Sequence, residues 1–314
     1  MNSTGPTISV VIPTRSRETR LRFALEALAA QTLDRDRFEV IVARADDGDP
    51  GHGDPPKDLE LRTLQGPAGP AAQRNQGWRA ARGELIAFTD DDCRPDPCWL
   101  ERLAAAADGS PATILQGRTE PDPDEDHLLH GRARSIEILD LDGWYPTCNI
   151  AYPRELLERL GGFDEDFPTS WGEDTDLGFR AAAEGAEVRF VADAVVHHAV
   201  HARTIGDAVA EALRRDSIPM VIARHPESRR HLYLGVFVRR THASFLLAVA
   251  GLLFARRAPL ISLLAALPYL GARRRLTATT LPKALAHLPA NAIVDGAEVF
   301  AVGRAAIRHR VLVL

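Results

Sequence analysis

Several scarcities in this chain exclude whole classes of protein. Only three cysteines, Cys93, Cys98 and Cys148, occur in 314 residues. Their number is odd and no CxxC pair is present, so a disulfide framework is not expected and a reducing compartment fits. Cys93 and Cys98 are too few and too far apart for a thiol zinc site. The residues before Thr7 are polar, with no charged stretch leading into an apolar one, so no secretory signal is expected. No uninterrupted apolar run reaches the ~20 residues of a bilayer span. Aromatic residues make up 6% of the chain and form no stacking platform or reader motif, so nucleic acid is not an expected partner. Pro13-Thr14-Arg15-Ser16-Arg17, after the first apolar run, contains no glycine, unlike the phosphate loop expected of a nucleotidyltransferase. Internal repeats and long low-complexity tracts are missing too.

Charge is unevenly placed. The net charge of −5 hides 13 Lys+Arg against 3 Asp+Glu in residues 225–314, and 25 basic against 40 acidic groups before them. Opposite balances suggest two regions with separate tasks. A boundary is expected near residues 224–230, dividing 1–224 from a basic, apolar, helical region at 225–314.

The acidic region alternates strand and helix signals. Thr7–Pro13 reads as a buried strand, Glu18–Gln31 as an amphipathic helix, Phe38–Ala43 and Leu59–Leu64 as strands, and Ala71–Arg82 as a helix capped by Gly83. Leu85-Ile86-Ala87-Phe88-Thr89 then delivers Asp90-Asp91-Asp92. Such alternation predicts an α/β fold, a mostly parallel central sheet with helices on both faces, with ligands beyond the carboxyl ends of the strands. Three adjacent carboxylates repel one another, and a hard divalent cation offsets that repulsion. A solvated acidic turn is the plainer reading.

The order of segments resembles glycosyltransferase family 2, with its Rossmann-like GT-A fold, over about Ile8–His198. The blocks are Val10-Val11-Ile12-Pro13-Thr14-Arg15, Ala71–Gly77, Phe88–Asp92 with Pro95 and Trp99-Leu100, Cys148–Ala151 with Gly161–Glu165, and Trp171–Gly178. The resemblance implies an inverting, metal-assisted transfer from a nucleotide-diphosphate sugar to a hydroxyl acceptor. Pro13, Thr14, Arg15, Asp46, Arg74, Asp90 and Asp91 would face the donor. Asp92 and His198 would hold Mn²⁺ or Mg²⁺, and Asn149, Trp171 and Asp176 would lie on the acceptor side. Asp174 would be the base, with Glu173 as the alternative. One departure stands out. The family places an acid directly after the second strand, whereas Ala43-Arg44-Ala45 here precede Asp46-Asp47. Either the loop is longer or Arg44 replaces the acid that reads the nucleobase.

Each residue also has a plainer role. Asp174 fits an N-capping acid, His198 a satisfied core histidine, Arg74 an exposed helix arginine, and Trp171 core packing. His201 is expected outside the metal shell. Other metal-dependent nucleotide-sugar enzymes, and a non-catalytic sugar-nucleotide-binding protein, are the competing functions. In the basic region, the apolar runs Ser244–Phe254 and Ala258–Gly271 are flanked by Arg239-Arg240 and Arg273-Arg274-Arg275. Shallow insertion at an anionic surface is expected, with a helical hairpin packed on the catalytic domain as the alternative. A lipid-linked acceptor and a location at the cytoplasmic face of the cell membrane would follow.

Overall fold

The computed structural model describes residues 6–45, 56, 59–129, 132–167, 171–277 and 281–314, apart from the side chains of 274–277 and 281. Asp46 lies outside the described residues. The chain forms two compact units, Met1–Ala202 and Arg203–Leu314. The division falls before α6 rather than near 224–230.

The first unit contains β1 (Ile8–Thr14), α1 (Glu18–Ala29), β2 (Phe38–Arg44), β3 (Leu61–Gln65), α2 (Pro70–Ala80), β4 (Leu85–Phe88), β5 (Cys93–Pro95), α3 (Trp99–Ala106), β6 (Thr113–Pro121), β7 (Ile150–Pro153), α4 (Arg154–Leu160), α5 (Glu173–Ala183) and β8 (Glu187–His198). The strands form one mixed, mostly parallel sheet in the order β3-β2-β1-β4-β7-β6-β8-β5. β1, β2 and β4 are buried throughout, as expected of parallel strands covered on both faces. Alternate side chains serve opposite faces. Ile8, Val10 and Ile12 meet Leu21, Leu25 and Leu28 of α1 on one face. Val11, Ile86 and Phe88 meet Trp78 of α2 and Leu177 and Phe179 of α5 on the other. The leucine spacing on α1 is that of a single helical face.

α2 ends at Ala80, before the expected stop at Gly83. Gly83 does not cap it in a left-handed conformation. A Cβ there would lie 2.6 Å from the Ser9 backbone nitrogen, so the glycine is needed for close approach to β1. β8 is longer than the short apolar run that announced it, and pairs parallel with β6 and antiparallel with β5.

The second unit comprises α6 (Ile205–Leu213), α7 (Ile218–Arg224), α8 (Arg240–Leu252), α9 (Pro259–Thr277) and α10 (Leu281–His309). α10 packs against each of the other four. Its apolar centre is small, with Ile222, Leu232, Val302 and Val313 buried together. Buried polar links supplement it. Glu298 of α10 receives Arg215 at 2.9 Å and Arg239 at 3.3 Å, while Asp295 receives Tyr269 Oη at 2.5 Å and Arg273 Nε at 3.0 Å. Arg239 and Arg273, expected to form part of a membrane-facing rim, are therefore engaged in internal ion pairs. Among the described residues, no helix is long and apolar enough to cross a membrane.

Candidate active site

Parallel pairing of β1 with β2 and β4 brings Thr14, Arg44 and the segment after Phe88 to one edge of the sheet. The Gln73 amide of α2 fixes that edge by donating to the Thr14 and Ala43 carbonyls, each at 2.7 Å. Asp90-Asp91-Asp92 emerge there. Asp91 and Asp92 are buried, so the solvated-turn reading fails for both. Thr14 Oγ1 donates to Asp91 Oδ2 at 2.7 Å. Arg17 Nη1 lies 3.0 Å from Asp91 Oδ1 and 2.7 Å from Asp92 Oδ2, offsetting part of the negative charge. Arg15, by contrast, is exposed.

β5 and β8 run antiparallel with Cys93 opposite His198, which sets His198 beside Asp92. Asp92 Oδ1 is 3.7 Å from His198 Nε2, and Asp92 Oδ2 is 2.9 Å from His201 Nε2. His201 therefore supports Asp92 by a hydrogen bond, while the group of candidate metal ligands leaves it out. His198 Nδ1 lies 2.8 Å from the Ala199 carbonyl. A carbonyl only accepts, so Nδ1 donates to it and Nε2 is the ring nitrogen that faces Asp92. Burial alone would raise the pKa of Asp92, but the His201 hydrogen bond, with His198 and Arg17 nearby, holds it well below the usual carboxylate range. Burial pushes Asp91 up to about 6 despite Arg17.

One ligand atom each from Asp92, Cys93 and His198 lies within 4.8 Å of the others. Burial, with Asp92 alongside, keeps the Cys93 thiol protonated. The usable donors are then a carboxylate oxygen and an imidazole nitrogen. That set fits Mn²⁺ or Mg²⁺ and leaves positions for phosphate oxygens and water.

A second acidic pair stands at the start of α5. Gly172, before the helix, has φ 102°, a left-handed backbone that favours glycine. Glu173 is buried and Asp174 half-buried. The Arg74 guanidinium joins the two acidic groups, with Nη1 at 2.8 Å from Glu173 Oε1 and Nη2 at 3.0 Å from Asp90 Oδ1. Arg74 is buried, not the exposed helix arginine considered above. Burial and the adjacent Asp174 push Glu173 up to about 8 although Arg74 opposes the shift. Burial also raises Asp174, whose Oδ1 accepts from the Thr175 amide at 2.8 Å.

The acceptor-side residues divide. Asn149 is completely buried. Its Oδ1 accepts from Trp99 Nε1 at 2.8 Å, and its Nδ2 donates to the Arg118 and Ala194 carbonyls at 2.8 and 2.9 Å. With its amide committed to the β6–β8 irregularity, Asn149 is a framework residue rather than an acceptor contact. Asp176 is buried and pairs with Arg180 at 2.8 Å, and Arg180 also donates to the Leu160 and Gly162 carbonyls. Trp171 keeps partial exposure, with Arg134 5.2 Å from its ring. Arg44 is buried and pairs with Glu18 of α1. A cavity of about 630 Å³ lined by Thr7, Glu84, Ser110 and Arg154 opens near the amino ends of β1 and β4, away from the aspartates.

Residues 9–163 match the family model for glycosyl transferase family 2. The chain belongs to that family. It is 31% identical over 245 residues to validoxylamine A glucosyltransferase of Streptomyces hygroscopicus subsp. limoneus, covering 63% of this chain and 53% of that one. It is 26% identical over 231 residues to glycosyltransferase AglE of Haloferax volcanii, covering 68% and 73%. The chain thus spans about half the length of the Streptomyces relative. Among solved structures, the mannosyltransferase PcManGT from Pyrobaculum calidifontis, in complex with GDP-Man and Mn²⁺, is similar with a TM-score of 0.50 and 23% identity, over 98% of this chain and 86% of that one. S. aureus TarS 1-349 in complex with UDP-GlcNAc gives 0.52 and 16%, over 97% and 92%. These likenesses establish the GT-A fold.

Proposed function

We propose that this chain is an inverting glycosyltransferase that moves a sugar from a nucleotide-diphosphate sugar to a hydroxyl acceptor. The observation that carries this reading is the bridge made by Arg74. It links the acidic cluster after β4 to the Glu173–Asp174 pair of α5, so a leaving-group site and a proton acceptor stand on either side of one guanidinium.

Asp92 and His198 would hold Mn²⁺ or Mg²⁺, which as a Lewis acid stabilises charge on the departing diphosphate. Thr14 and Arg17 hold Asp91 and Asp92 in place. Pro13 and Thr14 close β1 and Arg15 follows them, the segment nearest the nucleotide. Arg44, paired with Glu18, ends β2 where the family has its acid, and Asp46 two residues further on is the alternative reader of the nucleobase. Asp174 is the base. Glu173 is buried and paired with Arg74, whereas Asp174 is half-buried with its Oδ1 accepting from the Thr175 amide. Asp174 takes the acceptor hydroxyl proton as the acceptor oxygen bonds to the anomeric carbon. The bond from that carbon to the diphosphate breaks with its electron pair on the diphosphate. A single displacement inverts the anomeric centre. Trp171 beside Arg134 supplies a wall for the acceptor, a polysaccharide, cell-envelope or lipid-linked hydroxyl presented at the cytoplasmic face of the membrane.

A donor screen following nucleoside diphosphate release, with and without chelator, tests the reading. Release should need a divalent ion and should fall by orders of magnitude in Asp92→Ala with the fold intact. Full turnover by that variant, or in excess chelator, would remove the metal from the mechanism.

A further inference from the structure

We infer that the hairpin of α8 and α9 seats this protein on an anionic phospholipid bilayer, lying flat in the headgroup region. The inference specifies the membrane contact proposed above and does not depend on the transfer chemistry.

The hairpin turns its large apolar side chains outward. Leu252, Leu253, Phe254, Leu260, Leu263 and Leu264 are all exposed, Leu253 at 83%. The small residues form the inner seam. A Cβ on Gly251 would stand 2.6 Å from the Ala265 Cβ, and Ser262 Oγ donates to the Gly251 carbonyl at 2.7 Å. The polar groups of Tyr269 and Arg273 are committed to Asp295 of α10, which holds α9 in that orientation. An apolar surface extending along two helices marks an interaction site rather than ordinary exposure.

Length and charge choose the occupant. α8 has 13 residues, and α9 has 19 with Pro268 inside it. Neither meets the requirement for a spanning helix, but both suit shallow burial at an interface. From Ser228 to Val294 the sequence contains ten Lys+Arg and no Asp or Glu, and of the ten Arg239 and Arg273 are paired internally with Glu298 and Asp295. Arg256 and Arg257, in the turn between the helices, are exposed. A second copy meeting this face would bring cation against cation, whereas an anionic leaflet supplies the opposite charge. The arginine stems can lie along the apolar boundary while their guanidinium groups reach phosphate.

The test is flotation of the full chain with phosphatidylcholine vesicles, with and without phosphatidylglycerol, at low and high salt. The wild type should float with anionic vesicles, less so at high salt but not to zero. Arg256→Gln with Arg257→Gln should lower partitioning roughly 30-fold at low salt, the effect of two cations at a charged leaflet. Leu253→Gln, Phe254→Gln and Leu264→Gln together should remove the salt-resistant part. These side chains are exposed, and an unchanged circular dichroism spectrum verifies the fold. The inference is overturned if the wild type stays unbound, if the apolar variant floats like the wild type, or if the wild type is a dimer that the apolar variant dissociates. Flotation that persists in a protein unable to bind any nucleoside diphosphate would uphold the inference while removing the glycosyltransferase reading.

Discussion

Above about pH 8, where Glu173 is ionised, replacing Arg74 with methionine should destabilise the first unit by about 3–5 kcal/mol, the range for removing one partner of a buried ion pair. Arg74 and Glu173 have side-chain exposures of 6% and 2%, and their charged atoms are 2.8 Å apart. Removing the guanidinium leaves Glu173 buried beside Asp174 and leaves Asp90 without its 3.0 Å partner. Adding Glu173→Gln should recover most of the loss, because a neutral amide needs no counter-charge. Urea unfolding followed by tryptophan fluorescence isolates the relevant unit, since Trp78, Trp99, Trp144 and Trp171 are the only tryptophans and all precede Arg203. A cost for Arg74→Met below about 1 kcal/mol, the value of an exposed pair, would refute the reasoning. So would a double variant no more stable than the single one.

The pH dependence has a defined sign. Glu173 is raised from 4.5 to about 8 in the folded chain, so the folded state binds the extra proton between those values. Its contribution is fully present below 4.5 and is lost as pH rises through about 8. Denaturant midpoints should fall over that window in the wild type, and more weakly in Glu173→Gln. A slope unchanged by the substitution would assign it elsewhere. For the metal, calorimetric titration with Mn²⁺ should show His201→Ala weakening affinity roughly 10–100-fold, as loss of a ligand's partner does, and His198→Ala weakening it more. The reverse order would exchange their roles.

The central strands were legible because burial on both faces turned Ile8–Thr14, Phe38–Arg44 and Leu85–Phe88 into nearly continuous apolar runs. β8 was read only at its apolar end, because its first half alternates between exposed and half-buried positions. β5 has three residues and owes its place to β8, so no local period announces it. The site shows the same division. Asp90–Asp92 and Glu173-Asp174 stand out as contiguous acids at element ends. Arg17 and His201 reach Asp92 from 75 and 109 residues away, a convergence that no neighbouring sequence encodes. Asn149 looked functional from its block, yet its position at the β6–β8 irregularity spends its amide on the framework. Gly83 looked like a cap because the helix pattern stopped there, whereas contact with Ser9 explains it.

The central claim is that Asp174 accepts the acceptor proton in a single inverting displacement. Asp174→Asn retains the side chain's size and its hydrogen bond to the Thr175 amide but cannot act as that base. With the donor and acceptor that the wild type uses, kcat should fall by about 10²–10⁴, the usual contribution of a general base, while donor affinity stays near wild type. The wild-type product should show the inverted anomer by NMR. A retained anomer, or an Asp174→Asn variant with wild-type kcat, would contradict the account.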